Sequence, residues 1–197
     1  MIYWICKFVV LGPLLWLIGR PEVEGAQHIP RTGPVILAAN HNAFVDSLYL
    51  PLVVRRRLTF VAKAEYFTGW RQWFFRAAGQ IPIDRGGGGA AARALATATG
   101  ILAAGRVWAI YPEGTRSPDG RLYRGRTGMA RVAVATGVPV VPVALSGTRR
   151  LGKVRVTVCP PMHFGPNEQP RAVTDAVMAA LAAASGQEYV DAYRTAA

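Results

Sequence analysis

Acidic residues are scarce in this chain: Asp and Glu together number 11 against 23 Lys and Arg, leaving a formal net charge of +12 and a pI near 10.7. Lysine is scarce as well, with Lys7, Lys63 and Lys153 the only three, so nearly all of the charge is arginine. That balance calls for anionic partners: phosphate-bearing substrates, an acidic membrane surface or nucleic acid. The two cysteines, Cys6 and Cys159, lie far apart and match neither a metal site nor a C-x-x-C redox motif, which fits a reducing compartment. Of the three histidines, His28 and His163 have no ligand-spaced companions, so no metal site is expected. No Gly-Lys-Ser/Thr occurs, which excludes a P-loop.

What the chain does have is apolar material. With 51% hydrophobic residues in 197, one domain with a sizeable core is expected. Mean hydropathy is +0.20, and a positive value beside so much arginine favours a membrane surface over nucleic acid, whose binders gather their bases on polar faces. The apolar residues are densest at the start, in "MIYWICKFVVLGPLLWLIGR", interrupted only by Lys7. A spanning helix needs about 20 such residues, but Lys7 and Gly12-Pro13 favour two short segments meeting at a break and lying in the interface. An N-terminal helix packed on the core is the alternative. No basic leader or small-residue cleavage site marks a signal peptide. The expected organisation is a membrane-associating segment over 1–19 and a single domain over 20–197.

Beyond a turn-rich stretch with a short strand at 23–25, short apolar runs alternate with helical patterns. Strands are expected at 35–39, 58–62, 80–83, 107–111, 138–145 and 153–159. Helices are expected at 43–54, 65–78, 90–105, 127–136 and 171–184. Such alternation predicts an α/β fold with a largely parallel or mixed central sheet flanked by helices. In folds of this kind the loops leaving the carboxyl ends of strands carry the chemistry.

Four segments stand out. "ILAANHNAFVDSLYL" ends an apolar run in Asn40-His41-Asn42 and places Asp46 five residues after the histidine. Residues five apart on one helix point about 140° apart, so the pair can cooperate only if a helix starts between them. Asn42 as a cap before Ala43 would permit that. Asp46 could then hold the imidazole Nδ1–H and leave Nε2 to take a proton from a hydroxyl. A turn histidine followed by a helix-start acid is the plainer reading. "GQIPIDR" delivers Asp84 and Arg85 from a strand end, and the glycines after it only loosely match a dinucleotide fingerprint, because Asp84-Arg85 intervene. "YPEGTRSPDGRLYRGRTG" sets Arg116, Arg121, Arg124 and Arg126 among glycines, a composition suited to an anion. "VPVVPVAL" doubles Val-Pro within a strand pattern and reads as a wall, because proline cannot donate to a ladder.

Taken together and in this order, the blocks N-H-x4-D, G-x-x-x-I-D-R, Y-P-E-G-T-R-S and V-P-V-V-P-V resemble the glycerolipid acyltransferase family, the 1-acylglycerol-3-phosphate acyltransferases, over residues 23–165. The resemblance implies transfer of a fatty acyl group from acyl-CoA or acyl-carrier protein to the free hydroxyl of a lysophosphatidic acid-type acceptor, giving phosphatidic acid. His41 would be the general base and Asp46 its orienting partner. Glu113, Gly114, Thr115 and Arg116 would hold the acceptor, with Arg85 and Lys63 at its phosphate. No metal or other cofactor is implied beyond the acyl donor as co-substrate, and no nucleic acid. The expected partners are the lysophospholipid, the donor and an anionic membrane surface, with the protein on the cytoplasmic face of the cell membrane. Another lysophospholipid or glycolipid acceptor is the alternative within enzymes. Outside them stands a basic membrane- or nucleic-acid-binding module.

Overall fold

A computed structural model describes residues 2–63, 68–69, 72, 80–83, 89–150 and 152–194. The strands among them are β1 (Glu22–Glu24), β2 (Val35–Ala39), β3 (Leu58–Lys63), β4 (Ile81–Ile83), β5 (Val107–Ile110), β6 (Leu122–Tyr123), β7 (Val140–Ser146), β8 (Arg155–Val158) and β9 (Tyr189–Val190). The helices are α1 (Ile2–Ile5), α2 (Gly12–Gly19), α3 (Asp46–Val53), α4 (Ala90–Ala103), α5 (Gly128–Thr136) and α6 (Pro170–Ser185). The helix expected at 65–78 lies outside the described residues but for three positions.

Seven strands form one sheet in the order β1-β8-β7-β2-β5-β3-β4, in which neighbours run parallel except for the antiparallel pair β7 and β8. The sheet is therefore mixed. At its centre, β2 is apolar throughout, Val-Ile-Leu-Ala-Ala, and buried at every position, because helices cover both faces. Alternation then sorts its side chains. Val35, Leu37 and Ala39 meet Leu15 of α2 and Tyr49, Leu50 and Val54 in and after α3. Ile36 and Ala38 meet Ile101 and Leu102 of α4, Met129 and Val132 of α5, and Val177, Met178 and Leu181 of α6. Each such Leu, Ile, Val or Met, fully buried, stabilises the fold by roughly 1.5–3 kcal/mol before chain entropy is counted.

Pro142 stands inside β7, opposite Ala38 of β2. It is tolerated because the β7–β8 ladder begins only at Val143, opposite Val158, so the missing donor falls beyond its end. The strand read as a wall is buried at six of its seven positions.

The N-terminus does not break at Gly12-Pro13. Residues 2–19 continue as helix through a π-helical stretch, Cys6–Leu11, whose wider turn accommodates the ring and missing N–H of Pro13. The Gly12 N–H donates to the carbonyl of Lys7, five residues back. One face packs on the domain: the Tyr49 hydroxyl donates to the Leu15 carbonyl at 3.2 Å, the Tyr3 hydroxyl accepts the Leu58 N–H at 3.2 Å, and the buried Lys7 ammonium donates to the Val54 carbonyl. Gly19 abuts Tyr49 so closely that a Cβ there would lie 2.1 Å from its hydroxyl. The other face leaves Trp4, Ile5, Phe8, Val9, Leu14, Trp16, Leu17 and Ile18 exposed. Among the described residues no helix is long and apolar enough to cross a membrane.

Candidate active site

The strand order puts β5 and β7 on either side of β2, so the loops leaving the carboxyl ends of β2 and β5 emerge side by side. The first of these loops carries His41. It does not enter a helix at Ala43; residues 43–45 turn first, and α3 begins at Asp46 itself. The carboxylate thus takes the helix-start position, where the dipole favours a negative charge. Its Oδ2 accepts three donors: His41 Nδ1 at 3.0 Å, the Asn42 N–H at 2.6 Å and the Ala43 N–H at 2.7 Å. Asn42, expected to cap a helix, instead sends its side chain the other way, donating to the Leu145 carbonyl of β7 at 3.1 Å. The pairing of His41 with Asp46 is as expected, but the acid rather than the asparagine closes the turn.

The imidazole is fixed on a second side. The ring of Tyr111, at the end of β5, stacks on it with centroids 3.9 Å apart and planes 10° from parallel. Tyr111 is in turn anchored to Ser47 of α3, hydroxyl to hydroxyl at 2.9 Å, and burial pushes its phenol far above the usual range, which keeps it neutral. With Nδ1–H given to a fully buried carboxylate and one face covered, Nε2 carries the free lone pair. The His41 side chain is 15% exposed, enough to be reached from one side only.

Glu113 closes the loop from behind. Its Oε1 accepts the His41 N–H at 3.1 Å and its Oε2 the Tyr123 N–H at 2.9 Å, while the Ser117 N–H donates to the His41 carbonyl at 2.7 Å. The resemblance sets Glu113 among the acceptor-binding residues, but this carboxylate is 2% exposed and turned inward. Burial raises its pKa from 4.5 to about 7, against the lowering effect of the two N–H donors, and the nearby Asp46 charge raises it further. A carboxyl that holds its proton more tightly when folded favours folding fully below pH 4.5, and that contribution is lost as pH rises towards 7. Glu113→Gln cannot titrate, so the stability of the wild type relative to this variant should fall by roughly 3 kcal/mol between pH 4 and pH 8. Urea denaturation at pH 4, 6 and 8 measures this; a constant difference would mean that the carboxyl is not perturbed.

Gly114, Thr115 and Arg116 follow in the same loop. Gly114 sits at a φ of +78°, its N–H turned back to the Tyr111 carbonyl at 3.0 Å, with the Arg126 guanidinium where a Cβ would point. Arg116 is exposed and unpaired among the described residues. The other arginines of the loop are not free for an anion in the same way. Arg121 pairs with Asp119 at 2.7 Å, Arg124 with Asp191 at 3.4 Å, and Arg126 lies over the Tyr193 ring. Lys63 ends β3, and its side chain lies outside the described residues, as does all of Arg85. Tyr111, Asn40, Asn42 and Gln187 were not singled out from the sequence as site residues. Asn40 opens the N-H-x4-D block, Asn42 carried the signal of a cap and Tyr111 opens the Pro-Glu-Gly-Thr-Arg block, whereas Gln187 carried no local signal.

The chain is similar to known proteins over most of its length. Residues 20–146 match the family described as Acyltransferase. The chain is 31% identical over 158 residues to the chloroplastic 1-acyl-sn-glycerol-3-phosphate acyltransferase of Arabidopsis thaliana, covering 72% of this chain and 43% of that protein. It is 33% identical over 159 residues to the human 1-acyl-sn-glycerol-3-phosphate acyltransferase alpha, covering 73% and 55%. The chain thus spans about half the length of these relatives. Among solved structures, the 1-acyl-sn-glycerophosphate acyltransferase PlsC of Thermotoga maritima superposes with a TM-score of 0.68 at 28% identity, over 88% of this chain and 79% of that one. By the family match across most of its length, with a solved family structure sharing its fold, this chain belongs to the acyltransferase family.

Proposed function

We propose that the protein transfers a fatty acyl group from acyl-CoA or acyl-carrier protein to the free hydroxyl of a lysophosphatidic acid-type acceptor, yielding phosphatidic acid. The observation that carries this reading is the 3.0 Å bond from His41 Nδ1 to the buried Asp46, which leaves Nε2 facing outward as a base. The relatives' names supply the acceptor.

The steps follow from the geometry. Nε2 takes the proton of the acceptor hydroxyl as its oxygen attacks the thioester carbonyl carbon. Asp46 stabilises the imidazolium that forms, and Tyr111 keeps the ring from turning. The tetrahedral intermediate collapses with cleavage of the C–S bond, and the departing thiolate collects the proton from Nε2. The ester product and the free thiol leave His41 as it began. A thioester is already activated, so this mechanism calls for neither a metal nor an acyl-enzyme. Of the four arginines in its loop Arg116 is the one available to the acceptor phosphate, and Glu113 braces the base from behind.

The exposed apolar face of residues 2–19, on a chain of net charge +12, suits attachment to anionic lipid on the cytoplasmic side, where a lysophospholipid and a water-soluble donor meet. Mass spectrometry of products from a panel of lysophospholipids with acyl-CoA tests the assignment: phosphatidic acid should dominate. Absence of any acylated product would overturn it. In the same assay Arg116→Ala should raise KM for the acceptor by about 10-fold or more while KM for the donor stays within about twofold. An equal rise for both substrates would remove Arg116 from the acceptor site.

A further inference from the structure

A side chain from outside all four sequence blocks, and outside the residues matched to the family, ties the active-site loops together. Helix α6 ends at Ser185, and Gly186, at a φ of +69°, turns the chain back across the site. Gln187 follows. Its Oε1 accepts from Asn40 Nδ2 at 2.6 Å, and its Nε2 donates to Asn42 Oδ1 at 2.8 Å and to the Gly120 carbonyl at 2.6 Å. One amide therefore holds both neighbours of His41 and the Pro-Asp-Gly turn of the arginine loop.

The remaining side-chain bonds of the two asparagines all go to one residue. Asn40 donates to the Leu145 carbonyl at 2.9 Å and accepts its N–H at 2.7 Å, and Asn42 donates to the same carbonyl at 3.1 Å. Leu145 fixes the loop from the sheet, and Gln187 is its counterpart from the opposite end of the chain. The segment is itself anchored, since β9 pairs with β6 and the Leu122 N–H donates to the Glu188 carbonyl at 2.9 Å. Both hydrogens of the Gln187 amide are used, so a carboxylate, which cannot donate, does not replace it.

We propose that Gln187 is a positioning residue for acyl transfer, holding His41 in its reactive orientation through Asn40 and Asn42. The proposal rests on the acyl-transfer reading above. It predicts an effect on the chemical step rather than on substrate binding, because a base displaced by about 1 Å can lose of the order of 100-fold in rate.

The test compares wild type, Gln187→Ala, Asn42→Ala and the double variant in acyl transfer, with amide hydrogen exchange as a second measurement. Gln187→Ala should lower kcat by ~10- to 100-fold, with KM for both substrates within about twofold. In the Asn42→Ala background it should cost less than it does in the wild type, because the contact between the two is already gone and only the bond to Asn40 still reaches the loop. Exchange at the Asn42 N–H should quicken about tenfold, while Val35 and Leu37 in β2 keep wild-type protection. Losses that multiply independently in the double variant overturn the proposal, as does wild-type kcat with unchanged exchange at Asn42. If the wild type forms no ester at all, the acyl-transfer reading fails separately. The exchange result then decides whether Gln187 orders the loop. Should Gln187→Ala not fold, Gln187→Glu keeps the acceptor for Asn40, removes both donors, and is judged by the same outcomes.

Discussion

Replacing His41 by alanine should lower acyl transfer by at least ~10³-fold while leaving the protein folded and able to bind vesicles of anionic lipid. The size of the loss follows from what the imidazole does. Without it no group is placed to take the acceptor proton: Asp46 is fully buried, and the Tyr111 phenol, its pKa raised by burial, is a donor rather than a base. Folding should survive because the fixed contacts of this loop do not run through the imidazole. The His41 N–H still reaches Glu113, its carbonyl still accepts the Ser117 N–H, and Asp46 keeps its bonds to the Asn42 and Ala43 N–H groups. Vesicle binding should survive because eight of the twelve exposed large apolar residues among the described ones lie on the N-terminal helix, and His41→Ala leaves them in place. Product formation by mass spectrometry, thermal unfolding and vesicle co-sedimentation separate the three. Turnover within tenfold of wild type would remove His41 as the base. Loss of vesicle binding alongside would mean that the site, rather than the N-terminal face, holds the lipid.

The pairing of His41 with Asp46 was legible in the sequence because they are near neighbours: a five-residue spacing at a strand end leaves few geometries, and one of them is a hydrogen bond. The alternation of apolar runs was legible for the same reason, since β2 and its neighbours must be apolar when both faces are covered. The details that tertiary partners decide were not. Asn42 has the chemistry of a helix cap, and nothing local says that Leu145, more than a hundred residues away, will take its amide instead. Glu113 sits in a loop rich in charge, where a carboxylate ordinarily faces water, yet two backbone N–H groups draw it inward. Three of the four loop arginines found partners in Asp119, Asp191 and Tyr193, two of them in the C-terminal segment. The break expected at Gly12-Pro13 presumed an α-helical register; a π-helical stretch before the proline removes the clash that the expectation relied on.

Asp46→Asn should be nearly as damaging to catalysis as loss of the histidine, and far less damaging to the fold than Asp46→Ala. The three donors converging on Oδ2 make the contrast. An asparagine can place its one oxygen at that position and keep the Asn42 and Ala43 N–H groups paired, with its amide nitrogen in place of Oδ1. What it loses is charge. A neutral amide oxygen still accepts the Nδ1–H but does not stabilise the imidazolium, and kcat should fall by ~10²- to 10⁴-fold with KM little changed. Alanine removes the acceptor altogether and leaves those two backbone N–H groups without the partner the structure gives them, at about 1–3 kcal/mol for each that stays out of water. Denaturant midpoints should therefore rank wild type, Asn and Ala in descending order, while turnover should separate wild type sharply from both variants. If Asp46→Asn instead kept more than about a tenth of wild-type kcat, the carboxylate would be a scaffold for the turn and not the group that sustains the charged base. The 3.0 Å contact with His41 would then be a consequence of that turn rather than its purpose.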